Sequence, residues 1–438
     1  MFRSIFGTFA ILTFSASWLI AADWTAFRGR DGNGKSSDTG LLKQWNEEGP
    51  KLLWSIDCIG FGYSSVTVSG DKIYTSGNVE RDGKLLTMIF CLDKDGKKIW
   101  ENDNGPAVPT IADTFPRARG YPGTRGTPVI SGDRVYDASG LGEVTCYNAE
   151  TGEKIWSRNL TTEYDAPLPT WCLGHSVVIE GDTIITLVGG TKTIAVTLNK
   201  RTGETVWEAP PIALPTFVNP ERNNPPGSVA AAYTTPYLFD FEGLRVVAVM
   251  SEATVEGLDA KTGKHLFTIP LHNNTCTNCT MPIYRDGHLF LTTGYGFGAK
   301  LIKLTKNADG TLTPTEVWSA RRFDNHHGGV ILVGDHVYGT TFSGSWAAVN
   351  FLTGEIGYTS RGAGKGSIHY ADGLLFGLTE NDRTVLLIKP EPTEFVLISR
   401  FDMPNEVVGP SWAHPVVIGS RMYLRHGQYL YCYDVGAE

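Results

Sequence analysis

The chain has 438 residues, among them 50 glycines, 23 prolines and 11 tryptophans, and carries a net charge of −8. With a pI near 5.7 it lacks the basic footprint that nucleic acid or an anionic membrane surface would attract, which argues against both as partners. Many turn residues, large aromatics and no long amphipathic period argue equally against a helical fold, so an all-β chain with little helix is expected.

At the N-terminus Arg3 precedes an apolar run from Ile5 to Ile20, closed by Ala21 and Ala22. This is the pattern of a cleaved secretory signal over residues 1–22, with a retained anchor as the alternative. A periplasmic or secreted protein with no transmembrane span in the mature chain is therefore expected, and no cysteine at the end of the run offers a lipid attachment point. Residues 23–50 form an N-terminal extension, ADWTAFRGRDGNGKSS at its start, in which Trp24 and Phe27 are expected to anchor on the surface of the main domain, residues 51–438.

Lys51 to Ile56, KLLWSI, is an isolated strand signal without a local partner. From Val66 onward a unit repeats. It is clearest between Gly126 and Trp156, where Val129-Ile130, Arg134–Tyr136, Val144–Tyr147 and a last segment ending on Trp156 give four short strands. Gly152 sits where a hairpin loop needs positive φ. The closing half recurs as LDKDGKKIW at Trp100, LNKRTGETVW at Trp207, LDAKTGKHLF at Phe267 and VNFLTGEIGY at Tyr358. The opening half recurs as VTVSGDKIY, VVIEGDTII, MPIYRDGHLFL, VILVGDHVYG, SIHYADGLLFG and PVVIGSRMYL. Copies roughly 40 to 60 residues apart are the spacing of four-stranded propeller blades. Seven full repeats plus a split one predict an eight-bladed β-propeller, with seven as the other count; Lys51–Ile56, with Trp54 in the position of Trp100, completes the C-terminal blade and closes the ring. The count is weakest at the insert KNADGTLTPTE before Trp318 and at IKPEPTEFVLISRF, which lacks the Thr-Gly turn. Proline-rich residues 210–233 are expected to form a long interblade loop.

The endings AETGEKIW and AKTGKHLF resemble the PQQ-like β-propeller repeat family, over nearly the whole mature chain. Within it, NHHGGVILVGDHVYG, GKGSIHYADGLLFG and WAHPVVIGSRMYLRHG are similar to secreted bacterial single-propeller proteins. The resemblance implies the fold and leaves two functions open, since such blades build both quinone-dependent dehydrogenases of alcohols or sugars and noncatalytic scaffolds. Quinoprotein alcohol dehydrogenases pair adjacent cysteines beside PQQ and hold calcium next to a catalytic aspartate. This chain has no adjacent cysteines and no matching carboxylate cluster, so PQQ with calcium is implied only under the enzymatic alternative. The leading expectation is an exported module that binds a small ligand in its channel or a protein on its rim.

Of seven cysteines, Cys91, Cys146 and Cys432 fall at equivalent third-strand positions and are expected to be buried free thiols. Cys276 and Cys279 form a CxxC that suits a local disulfide in an exported protein. Thr280 in place of histidine rules out haem attachment, and no second pair exists for zinc.

Because the first strand of a blade is innermost, residues just upstream of each first strand are expected to ring one mouth of the channel. They are Tyr63 and Ser64, Arg125, Trp171 and His175, Tyr233, His326 and His327, Lys365 and Ser367, and Trp412 with His414. Arg425 is a further candidate, although it equally suits a bridge between blades. Aromatic, imidazole and cationic groups at one mouth suit a ligand pocket, and Arg125, Lys365 and Arg425 would favour an anionic or carbonyl-bearing ligand. Of the adjacent histidines, strand alternation lets only one face inward. His327 or His414 would be a general base and Lys365 an electrophile, but no reaction follows from these, and no metal site is assigned.

Overall fold

The computed structural model describes residues 23–107, 123–212, 214, 229–404 and 409–437. Its strands form eight four-stranded antiparallel sheets, each made of consecutive strands except one. Seven blades span residues 67–106, 129–159, 178–208, 237–270, 283–320, 330–360 and 366–402. The eighth takes three strands from residues 416–434 and its fourth from Lys51–Ile56, which pairs antiparallel with Tyr429–Asp434 from Lys51↔Asp434 to Ile56↔Leu430. The expected eight blades and the split closure are both present. Helix is confined, among the described residues, to Leu160–Tyr164, and no helix there is long and apolar enough to cross a membrane.

The recurring tryptophan and glycine are explained by contacts between blades. Trp100 donates its indole N–H to the Ala149 carbonyl of the next blade at 3.1 Å, and Trp207 does the same to Ala260 at 3.1 Å. Trp318 reaches Phe351 at 3.0 Å, and Trp54 of the N-terminal strand reaches Lys94 at 2.9 Å. Each ring lies on the glycine of the neighbour's turn. A Cβ on Gly152 would stand 2.5 Å from Trp100, and one on Gly96 2.9 Å from Trp54. The same device serves Phe401, which covers Gly49. The insert near Trp318 lengthens a hairpin, Gly298–Lys306 with Leu312–Ala320, without disturbing the ring. Cys91, Cys146 and Cys432 are buried free thiols in three different blades, as expected.

Residues 24–42 cross one face of the ring. Trp24 pairs with Val68 of the first blade, Ile130 of the second donates to Thr25, and Tyr370 of the seventh pairs with Gly34 and Ser36. Leu42 then donates to Val435 in the eighth. Trp24 is buried among residues of the first and eighth blades and Phe27 is half-buried, so both side chains tie the segment to the propeller. Arg28 reaches His414 and the Val330 carbonyl, and Phe27 lines two cavities. The signal at 1–22 and most of the loop 210–233 lie outside the described residues.

Candidate functional site

The lead-ins to the first strands converge on one cavity of about 700 Å³. Its lining includes Tyr63, Arg125, Trp171 and Tyr233 from the first four blades and His326, His327, Lys365, Trp412 and His414 from the last three. The Tyr63 and Trp412 rings lie 4.7 Å apart, with the Arg125 guanidinium 5.4 Å and 5.8 Å from their centroids. Tyr295 and Phe342, also in the lining, pack at 4.3 Å. His326 and His327 both reach the wall because they precede the strand Val330–Val333 and are not part of it, so strand alternation does not apply.

Four of the nominated residues are placed elsewhere: Ser64 and Ser367 are fully buried, their hydroxyls donating to the Ser65 and Ala413 carbonyls, and His175 and Arg425 also lie outside the lining. His175 is buried behind the wall, its Nε2 2.9 Å from the Thr186 hydroxyl, and burial lowers its pKa to about 4. Arg425 is 2% exposed and donates to the carbonyls of Gly60, Ser64, Ser76 and Gly427 and to the Thr75 hydroxyl. It fastens the last blade to the first, which is the bridging alternative.

Glu380, unmarked by the sequence reading, is the hub of the polar wall. Its Oε2 lies 2.9 Å from Lys365 Nζ, and its Oε1 accepts from the Trp412 indole at 2.7 Å and lies 3.8 Å from His327 Nδ1. Lys365 and Glu380 are each 13% exposed, so this is a desolvated pair and not a surface one. It engages the cation that the sequence reading had assigned to an anionic ligand.

The hydrogen bonds fix the imidazole tautomers. An ammonium can only donate, so His326 Nδ1, 3.4 Å from Lys365 Nζ, accepts. His327 Nδ1, 3.3 Å from that nitrogen, then carries the proton. Arg28 likewise only donates, 3.3 Å from His414 Nδ1, so His414 is protonated on Nε2, which donates to the His327 carbonyl at 3.0 Å. Burial, and then the Lys365 charge, lowers the His326 pKa to about 3. Burial with His326, Lys365 and His414 holds His327 well below the usual range, and burial with Arg28 lowers His414 to about 3. All three are neutral at pH 7. Nε2 of His326 and of His327 is buried without a hydrogen-bond partner among the described residues, an arrangement that costs roughly 1–3 kcal/mol per group.

Cys279 lines the cavity and burial pushes its thiol up to about 12, so it is not a nucleophile at neutral pH. Cys276 and Cys279 form no disulfide. Their loop is held instead by Asn273, which donates to Thr277 and Thr293, and by Asn278, which donates to Ser251 and Leu271. Among the described residues no three histidine, cysteine or acidic side chains are placed to hold a metal ion.

Residues 87–356 match the model of the family described as outer membrane protein assembly factor BamB. The chain belongs to this family of PQQ-like β-propellers. No curated protein sequence matches it. Among solved structures, BamB from Moraxella catarrhalis is similar at 14% identity and a TM-score of 0.59, covering 88% of this chain and 99% of that one. The computationally designed Ika8 protein is similar at 10% identity and a TM-score of 0.52, covering 88% of this chain and 100% of that one. At such identities the likeness shows the fold alone.

Two features of this BamB-family propeller escaped the sequence reading. Tyr295, Phe342 and Glu380 sit just after second strands ending at Thr293, Thr340 and Thr379, so the turns between second and third strands also face the mouth. Aligning those strand ends would have found them. Phe27 also lines a second cavity of about 1480 Å³, partly walled by the crossing segment at Arg30 to Asn33. Nothing in the local sequence marks it.

Proposed function

We propose that this propeller is an exported, noncatalytic module that binds a small organic molecule at the channel mouth. The observation that carries the reading is the composition of the 700 Å³ cavity, in which aromatic faces surround a few aimed polar groups: Lys365, Glu380 and the His326–His327 pair. Export is supported by the apolar run behind Arg3. The neutral, strongly depressed histidines are poor bases at pH 7, which favours binding over proton abstraction.

The quinone-dependent alternative fits the residues less well. Calcium asks for several oxygen ligands with carboxylates among them, and Glu380, the carboxylate in the described lining, is committed to Lys365 and Trp412. Adjacent cysteines are absent.

The reading is tested by titrating purified protein with a panel of small sugars, organic acids, amino acids and PQQ with calcium, following the emission of Trp171 and Trp412. A response that disappears in Lys365→Ala and His327→Ala, with the β-sheet circular dichroism retained, supports a mouth site. Responses that survive both substitutions would place the ligand elsewhere. No response across the panel, together with capture of a protein partner by the rim, would favour the scaffold form of the family.

A further inference from the structure

The Lys365–Glu380 pair carries an inference that rests on the mouth being a ligand site and specifies what it takes. Lys365 has three N–H donors. One faces Glu380 Oε2 at 2.9 Å, and a second faces His326 Nδ1 at 3.4 Å. The third remains for a ligand oxygen. Glu380 in turn has four lone-pair directions, and Trp412 and Lys365 use two of them. The Glu380 backbone is held on both sides, its N–H donating to the Lys365 carbonyl at 2.6 Å and its carbonyl accepting from Ser411 N–H at 2.7 Å. Glu380 is therefore tied through main chain and side chain to the lead-ins of both the seventh and the eighth blade.

An acceptor-and-donor pair of this kind matches a hydroxyl, which accepts from the Lys365 ammonium and donates to Glu380. A carboxylate matches it badly. It accepts from Lys365 but has no proton for Glu380, and its charge meets that of Glu380 in a site screened poorly by water. The surrounding walls suit the same class, since Trp412, Tyr63 and Phe342 line the cavity and supply ring surface for the C–H groups of a hydroxylated ring. We propose that Glu380 is the specificity-determining residue of the cavity: it occupies the carboxylate position on Lys365, so that this end receives a neutral hydroxylated ligand and rejects the corresponding acid.

Matched probes separate the two. Glucose with glucuronate, and galactose with galacturonate, differ at one carbon by hydroxyl against carboxylate. Binding is measured by calorimetry and tryptophan emission at pH 7.5 for the full chain, for Glu380→Gln, which keeps the size and the acceptor for Trp412, and for Glu380→Asp, which keeps the charge. The unmodified protein should bind a neutral sugar at least about tenfold more tightly than its acid. Glu380→Gln should shift that ratio about tenfold or more toward the acid, with uronate binding that weakens as salt is raised, and Glu380→Asp should restore the preference for the neutral sugar. An unchanged ratio in Glu380→Gln, with both probes still bound, overturns the role of Glu380 while leaving the site intact. Binding of organic acids in the wider panel with no sugar bound overturns the hydroxyl assignment alone; silence toward everything overturns the ligand site as well.

Discussion

Gly152 shows how much a single position carries. Its φ of 73° is left-handed, and the face that a side chain would occupy is filled by the Trp100 ring at 2.5 Å. Gly152→Ala is expected to lose roughly 1–3 kcal/mol from the backbone strain and the displaced ring together, and Trp100→Ala roughly 3–5 kcal/mol. Urea unfolding checks both, and a loss near zero for either would contradict the docking role. The buried histidines govern pH dependence. His175, His326, His327, His369 and His414 all have lowered pKa values in the folded state, chiefly through burial. The unfolded chain therefore binds more protons as the pH falls below about 6.5, and stability is full above that value and declines toward about pH 4. Each histidine contributes a slope of roughly 1.4 kcal/mol per pH unit. Asp137, raised to about 6 by burial, takes up its proton in the folded state first and offsets about one of the five between pH 4 and 6. Urea midpoints at pH 7.5, 6.0 and 5.0 should fall in that order; a midpoint that holds or rises on acidification would show that these rings are not buried neutral.

The crossing segment is the element that the sequence disclosed least. Repeats announce blades because their tryptophan and glycine recur, whereas residues 24–42 occur once, and two of the partners of Arg28, His414 and the Val330 carbonyl, lie far along the chain. Burial lowers the Arg28 pKa to about 10, and its guanidinium is satisfied by oxygens and one imidazole nitrogen, with no carboxylate. Arg28→Met removes a charge that depresses His414. The His414 pKa should therefore rise, and proton NMR titration of its ring would record it; an unmoved value would mean that the arginine does not act on the cavity wall. The mouth itself is legible at many residues that precede a first strand, such as Tyr63, Arg125, Lys365 and Trp412, whereas His175 precedes one too and turns away to Thr186. It was illegible at Glu380, because a turn glutamate has no local pattern to distinguish it from a solvated one. Electrostatics was the part read least well: Lys365 is a free cation in the sequence and half of an ion pair in three dimensions.

For the whole molecule, closure depends on Lys51–Ile56 lying against Tyr429–Asp434. Removing the chain through residue 56 should leave the strand Tyr429–Asp434 as an open edge and expose Trp54's neighbours at Lys94 and Gly96. Loss of a single cooperative unfolding transition, and self-association seen by light scattering after size exclusion, are the expected results; a monomer that melts as before would show that seven blades hold without the eighth. The closure also bears on how such a chain is made. The strand Lys51–Ile56 is made seven blades ahead of its partner Tyr429–Asp434, so the ring cannot lock until synthesis has passed residue 434. A polypeptide of this design stays unlatched while its first seven blades are laid down, and becomes a finished circle only when these two distant strands meet.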